Sequence, residues 1–390
     1  MIKTSYVSRT VSELKPSGIR RFFDLAANLE GVVSLGVGEP DFVTSWGVRE
    51  AAINSLEEGY TSYTANAGMM ELRQEISGYM KKQFEVSYNP ENQIIVTVGA
   101  SQALDIALRT VLNPGEEVIV VEPCFVAYAP LVTMAGGVPV TVQTSKDNDF
   151  KLMPEELEAA ITPRTKAVLI CSPNNPTGTQ LGKSELAALA EIVQKHDLLV
   201  LSDEIYAELA YDEKYTSFAA IDGMLERTIV INGFSKAFAM TGWRLGFVCA
   251  PREISEAMLK VHQYAMMCAP TMAQHAALEA LKNGMQDVED MRRSYRGRRN
   301  YIVKSFNEIG LDCHNPGGAF YAFPSIKKTG MTSMEFAEKL LTEELVAVVP
   351  GDVFGESGEG HIRCSYASSM EQLQEAIKRM ERFMKKYSKY

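Results

Sequence analysis

No C-x-x-C pair, no H-E-x-x-H and no cysteine at zinc spacing from a histidine occurs in this chain. His196, His262, His275, His314 and His361 are scattered, so no metal site is expected and each reads as surface or helix-end packing. Cys124, Cys171, Cys249, Cys268, Cys313 and Cys364 also stand apart, four of them in apolar strand-like or helix-like runs. That is the distribution of buried thiols in a reducing compartment, not of a disulfide framework. No apolar stretch reaches the roughly 18 residues of a membrane span. The N-terminus lacks the charged head, apolar middle and small-residue cleavage site of a signal peptide. A cytoplasmic location is therefore expected. The formal net charge of −10 repels a phosphate backbone overall, which sets aside nucleic acid and membrane as main partners. The basic run from Arg292 to Arg299 reads as the solvated face of a long helix. Internal repeats, low-complexity segments and Pro/Ser-rich linkers are absent too, so domain limits are soft.

What is present is enough for two domains: 390 residues, 46% hydrophobic and 23% charged. From about Ile94 to Val248 short β-branched runs alternate with amphipathic stretches. The runs are Q-I-I-V-T-V-G ending at Gly99, E-V-I-V-V from Glu117, V-P-V-T-V from Val138 and A-V-L-I-C from Ala167. L-L-V-L-S-D ending at Asp203, T-I-V-I-N-G ending at Gly233 and G-F-V-C-A from Gly246 follow. Helices such as Ser101 to Val111 and Ser184 to His196 lie between them. The pattern predicts an α/β fold, with a large domain whose mostly parallel seven-stranded sheet lies between helices, plus a smaller α+β domain. The smaller part begins with a long charged helix around Asp287 to Phe306 and includes G-A-F-Y-A-F and V-A-V-V-P. Its last helix sets Met370, Leu373, Ile377, Met380 and Phe383 on one side. The expected division is an N-terminal segment 1–45 packing on the small domain, a large cofactor-binding domain 46–280 and a small domain 281–390.

Four short strings carry chemistry. In N-G-F-S-K-A-F-A-M-T-G-W-R-L-G-F, Lys236 follows a strand amid apolar and small residues. A lone lysine is most often a solvated surface group, but desolvation beside another cation lowers its pKa and lets it form an imine with a carbonyl. Arg244 has the fork that grips a phosphate, or else makes a structural ion pair. In L-L-V-L-S-D-E-I-Y, Asp203 ends a strand, where open α/β sheets bind ligands, and Tyr206 follows three residues later. An acid there can keep a pyridine nitrogen protonated; a turn cap and half-buried packing are the plainer alternatives. C-S-P-N-N-P-T-G places Asn175 after the next strand end, though N-P-T-G is also an ordinary turn signal. V-G-A-S-Q-A-L passes from strand to helix at Gly99, presenting free N–H groups to an anion. G-F-S-K-A approaches a nucleophile elbow but has Ala for the second Gly, and no G-x-G-x-x-G follows the first strand of the alternating region.

Together, in this order, these strings resemble the class I aminotransferases of fold type I, in the subgroup with bacterial aspartate, aromatic and alanine aminotransferases. The resemblance runs from G-V-G-E-P-D-F to H-I-R-C-S-Y-A. It implies a pyridoxal 5′-phosphate enzyme that moves an amino group from an L-amino acid to a 2-oxo acid, 2-oxoglutarate or pyruvate, by a ping-pong mechanism. By resemblance, Lys236 is the Schiff-base lysine and proton carrier. Asp203 pairs with the pyridine nitrogen, and Tyr206 and Asn175 hold the phenolic oxygen. The backbone at Ala100 and Ser101, the Ser235 hydroxyl and Arg244 hold the phosphate, and Phe125 stacks on the ring. Arg363 binds the substrate α-carboxylate, helped by the Gly38 N–H and Asn175. Tyr63 matches a tyrosine that reaches the neighbouring subunit's phosphate, so a homodimer with shared sites is implied.

Gly233 replaces a serine of many relatives and removes one hydroxyl donor to the phosphate, which would weaken cofactor retention. Phe125 replaces the tryptophan or tyrosine of some. A carbon–sulfur lyase or other pyridoxal-phosphate enzyme on the same scaffold is the alternative. The sensor domain of certain transcription regulators is a further one, but those carry an N-terminal DNA-binding domain not seen here. Alanine, aspartate, aromatic and acetylated diamino acids stay open as donors. Arg20, in the strip with Ile19, is the candidate reader of a distal carboxylate, and Met240, Met266 and Met267 are weaker candidates to line the site.

Overall fold

The computed structural model describes residues 6–16, 18 and 29–388. Ile19 and Arg20 lie outside them. The β-branched runs form seven strands: β1 (Ile94–Thr97), β2 (Glu117–Glu122), β3 (Val138–Gln143), β4 (Thr165–Cys171), β5 (Leu199–Asp203), β6 (Thr228–Gly233) and β7 (Gly246–Cys249). They make one sheet in the order β1-β7-β6-β5-β4-β2-β3. Every pairing is parallel except the two made by β7. Helices lead from β2 to β3, β3 to β4 and β4 to β5, while a longer loop with three short 3-10 turns leads from β5 to β6.

Both faces of the inner strands are covered, so these are largely apolar rather than alternating, whereas the edge strand β3 is mostly exposed or half-buried. The helix Ala100–Val111 buries Leu104, Ile106, Ala107 and Leu108 in the cluster that holds Ile229, Ile231 and Val248. On the other face Met70–Phe84 and Thr271–Asn283 pack with Val96, Val230 and Phe247. Register places Cys171 beside Asp203 and Asp203 beside Ile231, so the carboxyl ends of β4, β5 and β6 form one ledge.

The C-terminal part has a three-stranded antiparallel sheet in the order Val349–Pro350, Ile362–Ser365, Tyr321–Ala322. Helices Met285–Glu308, Ser333–Glu344 and Met370–Tyr387 bury a common cluster that includes Phe306, Phe336, Leu373, Met380 and Phe383. Val33–Ser34 pairs in parallel with Val346–Ala347. Leu35 continues the ladder, donating to the Ala347 carbonyl (2.8 Å) and accepting from Ser365 N–H (2.6 Å). These bonds aim Gly36 to Glu39 at the ledge.

Two expectations are corrected by packing. His361 is buried rather than superficial and its ring stacks on Phe323 at 5.1 Å, whereas His262, buried in the last turn of Arg252–Ala265, is the helix-end packing expected. Arg299, in the basic run, is buried too. Its guanidinium pairs with Asp212 and donates to the Pro316 carbonyl (2.9 Å), while Arg298 pairs with Asp41 at 2.8 Å. All six cysteines are free; Cys171 and Cys268 are half-buried and the others buried. Among the described residues no helix is long and apolar enough to cross a membrane.

Candidate active site

A cavity of about 590 Å³ opens on the ledge. Its walls include Gly38, Ala100, Ser101, Phe125, Asn175, Asp203, Tyr206, Ser235, Lys236, Arg244 and Arg363. Residues read from seven separate stretches of sequence thus meet at one place. Tyr63 does not line it and is 78% exposed. Met240 is fully buried in the core, Met266 and Met267 are exposed, and none of the three reaches the cavity.

Lys236 is presented by a loop whose apolar side chains point away from it. Phe234, Phe238 and Met240 are buried in the core. Downstream, Trp243 Nε1 donates to Thr44 Oγ1 (3.0 Å), which donates to the Ala239 carbonyl (2.7 Å). With the loop pinned on both sides, Lys236 faces the cavity and its Nζ donates to the Gly38 carbonyl at 2.7 Å. Burial drives its pKa down to about 8, with Arg363 and Arg244 pushing the same way and Glu39 and Asp203 opposing. A lysine so placed carries a usable fraction of neutral amine near physiological pH.

Asp203 is buried at the end of β5. Tyr128 Oη donates to its Oδ2 (2.6 Å) and the Ile205 N–H to its Oδ1 (3.3 Å). Burial raises the Asp203 pKa, while these two bonds and the Lys236 charge pull it back. The carboxylate is therefore held by donors on both oxygens yet poorly hydrated, an arrangement that favours a cationic N–H partner.

An anion cradle lies at the other side. The helix Ala100–Val111 begins at Gly99 without a side-chain cap. Gly99 has φ +81°, a left-handed conformation that favours glycine, and the Arg244 guanidinium lies where a Cβ would stand 2.8 Å from it. Among the described residues the Ser101 and Ser235 hydroxyls make no hydrogen bond, and the Arg244 guanidinium makes one, to the Thr241 carbonyl (3.1 Å). An uncapped helix start, two unengaged hydroxyls and an under-used guanidinium fit a phosphate dianion.

Arg363, buried on Ile362–Ser365, donates to Asn175 Oδ1 (2.9 Å) and to the Gly36 carbonyl (2.8 Å). Its Nε has no partner within the described residues, so donor capacity is left for a carboxylate. Because Asn175 uses its oxygen on Arg363, its amide N–H₂ is what remains for a ligand. Tyr206 and Tyr321 set their hydroxyls 2.9 Å apart.

Among the wall residues not singled out from sequence, Tyr128, Tyr321 and Glu39 carry polar groups into the site. Tyr128 begins a helix three residues after Phe125 and Tyr321 sits in G-A-F-Y, both legible only as aromatics in ordered segments. Glu39 belongs to G-E-P-D-F, and Thr241 Oγ1 donates to its Oε2 (3.0 Å). Gly233, read as a lost phosphate ligand, lies off the cavity. A Cβ there would meet Gly246 Cα at 2.9 Å, so glycine serves the close contact of β6 with β7.

Known proteins match this arrangement over nearly the whole chain. A putative aminotransferase, YugH of Bacillus subtilis, is 68% identical over 98% of this chain and 99% of its own. An aspartate aminotransferase of Pyrococcus abyssi is 49% identical over 95% of this chain and 96% of its own. The crystal structure of an aromatic aminotransferase from Pyrococcus horikoshii superposes with a TM-score of 0.90 at 47% identity, covering 94% of this chain and 99% of the other. Residues 30–380 match the family described as aminotransferase class I and II. The chain therefore belongs to that family, as a class I enzyme that uses pyridoxal 5′-phosphate to exchange amino groups between amino acids and 2-oxo acids.

Proposed function

We propose that Lys236 is the proton carrier of this transamination and that the cavity residues around it divide the remaining tasks. What carries the proposal is a half-buried lysine, its pKa lowered to about 8, in one cavity with a buried aspartate and two arginines. When bound, pyridoxal phosphate supplies a ring that accepts the electron pair of a broken Cα–H bond. The Ala100 and Ser101 backbone, the Ser101 and Ser235 hydroxyls and Arg244 would hold its phosphate. Asp203 would hold its ring nitrogen protonated, Tyr206 and Asn175 would donate to its phenolic oxygen, and Phe125 would pack against the ring. Lys236 would be the residue that takes up its aldehyde carbon. Arg363 then fixes the α-carboxylate of the incoming amino acid, with Gly38 N–H and Asn175. The neutral Lys236 amine takes the proton from Cα and returns it on the other side of the exchange.

We also propose the division into 1–45, 46–280 and 281–390, and a cytoplasmic homodimer. Tyr60, Tyr63, Tyr264, Met266 and Met267 are exposed apolar side chains that a second copy would cover, with Tyr63 reaching the partner's phosphate site. Relatives named for aspartate and for aromatic amino acids both match strongly, so the preferred donor is left to experiment. The test is the visible spectrum of the purified protein with pyridoxal phosphate, followed as single amino acids are added without acceptor, and repeated with Lys236→Ala. A band that moves to shorter wavelength with release of the oxo acid supports the reading and identifies the donor. No band after adding the cofactor would overturn it.

A further inference from the structure

Tyr321 stands where three functional elements cross. Its hydroxyl lies 2.9 Å from that of Tyr206. Its ring carries the Arg363 guanidinium 4.5 Å above the centroid. Its oxygen also presses on the strip leading from Val33, since a Cβ on Gly38 would meet Tyr321 Oη at 2.9 Å. The side chain is 1% exposed and comes from the short strand Tyr321–Ala322, which pairs with the strand bearing Arg363. Tyr206 is also buried, so neither hydroxyl has bulk water as an alternative partner.

We propose that Tyr321 is a positioning residue with two separable tasks, its hydroxyl serving Tyr206 and its ring serving Arg363. This rests on the transaminase reading of the same cavity.

If Tyr206 spends its proton on the cofactor's phenolic oxygen, its own oxygen must accept one, and Tyr321 is the neighbour that can give it. Burial raises the pKa of Tyr206 well above that of an ordinary tyrosine and that of Tyr321 as well, so both are protonated donors at neutral pH. A chain of two donors polarises the terminal bond. A stronger donor at the phenolic oxygen competes with the proton that this oxygen otherwise shares with the nitrogen of Lys236. The hydroxyl of Tyr321 therefore lowers the pKa at which the loaded enzyme loses that proton. The ring does something different. Arg363 lies within 4.9 Å of Phe354 as well, and two aromatic rings constrain a planar cation without using its N–H donors. Those donors stay aimed at Asn175, Gly36 and the incoming carboxylate.

The experiment uses the full chain loaded with pyridoxal phosphate and two variants. Tyr321→Phe keeps the ring and removes the hydroxyl. Tyr321→Leu removes both. The visible band of each is titrated from about pH 5 to 9, and KM is measured for L-alanine and L-glutamate. In Tyr321→Phe the spectroscopic pKa should rise by about half a unit to one unit, with KM unchanged within about twofold. In Tyr321→Leu the same rise should come with a KM increase of about three- to thirtyfold. An unshifted pKa in Tyr321→Phe overturns the hydroxyl's task, and an equal KM increase in both variants overturns the division. Failure of the wild-type protein to develop the band would instead remove the transaminase reading.

Discussion

Tyr128 donates its hydroxyl proton to Asp203 Oδ2 across 2.6 Å, from a helix start to a strand end 75 positions apart in sequence. Both groups are buried, and the acid has one further donor, the Ile205 N–H. The bond does two things at once. It opposes the rise in pKa that burial imposes on the acid, and it fixes which way the carboxylate points.

Tyr128→Phe should leave Asp203 with a single donor and a higher pKa. Loss of a hydrogen bond to a buried charge costs about 1.5–3 kcal/mol. The expected result is a roughly ten- to hundredfold slower half-reaction, with donor KM changed less than about threefold. Single-turnover kinetics decide it; a KM effect without a rate effect would mean that the tyrosine serves binding instead.

The Lys236 amine should titrate near pH 8 in the cofactor-free protein, well below the 10.5 of an ordinary lysine. The neutral form is the nucleophile, so its labelling by an amine-reactive reagent should climb as pH passes through about 8. Peptide mass spectrometry against pH reads this directly.

Glu204 gives a pH dependence of stability. It is fully buried, and its Oε1 accepts from Ser202, Ser217 and the Phe218 N–H. Its Oε2 has no partner within the described residues. Burial raises its pKa from 4.5 to about 7. Between those values the folded state binds more protons than the unfolded one, so stability falls as pH rises. The penalty is absent below about pH 4.5 and complete above about pH 7, on the order of a few kcal/mol. Glu204→Gln should therefore gain stability relative to wild type at pH 8 by more than at pH 5. Urea midpoints at the two pH values check it, and a constant difference would refute the assignment.

Gly233→Ser restores a hydroxyl at the position read from sequence as a missing phosphate ligand. The contact of Gly233 with Gly246 Cα predicts a different outcome. Overpacking backbone against backbone should cost about 1–3 kcal/mol with no gain in cofactor affinity. Thermal unfolding and equilibrium dialysis with pyridoxal phosphate measure the two effects. A tighter cofactor with unchanged stability would restore the original reading.

By itself, the sequence determined the local elements and most of the chemistry-bearing residues. Strand runs such as L-L-V-L-S-D and the helix after Gly99 are legible because hydrophobic period and glycine punctuation act over a few residues. The string around Lys236 is legible because an amine among apolar neighbours has few other uses. The expected helix from Asp287 to Phe306 and the observed Met285–Glu308 differ only at their ends. Tertiary structure alone decided the contacts made between distant segments. Tyr128 and Tyr321 carry no local mark of function, since a buried aromatic in a helix or strand looks like core until its hydroxyl is seen facing Asp203 or Tyr206. The close contact at Gly233 is likewise visible only in the fold, because how closely β6 approaches β7 is set by the whole sheet. Sequence pattern reports what a side chain can do; hydrogen bonds and close packing depend on which group stands opposite, and only the folded chain brings that group there.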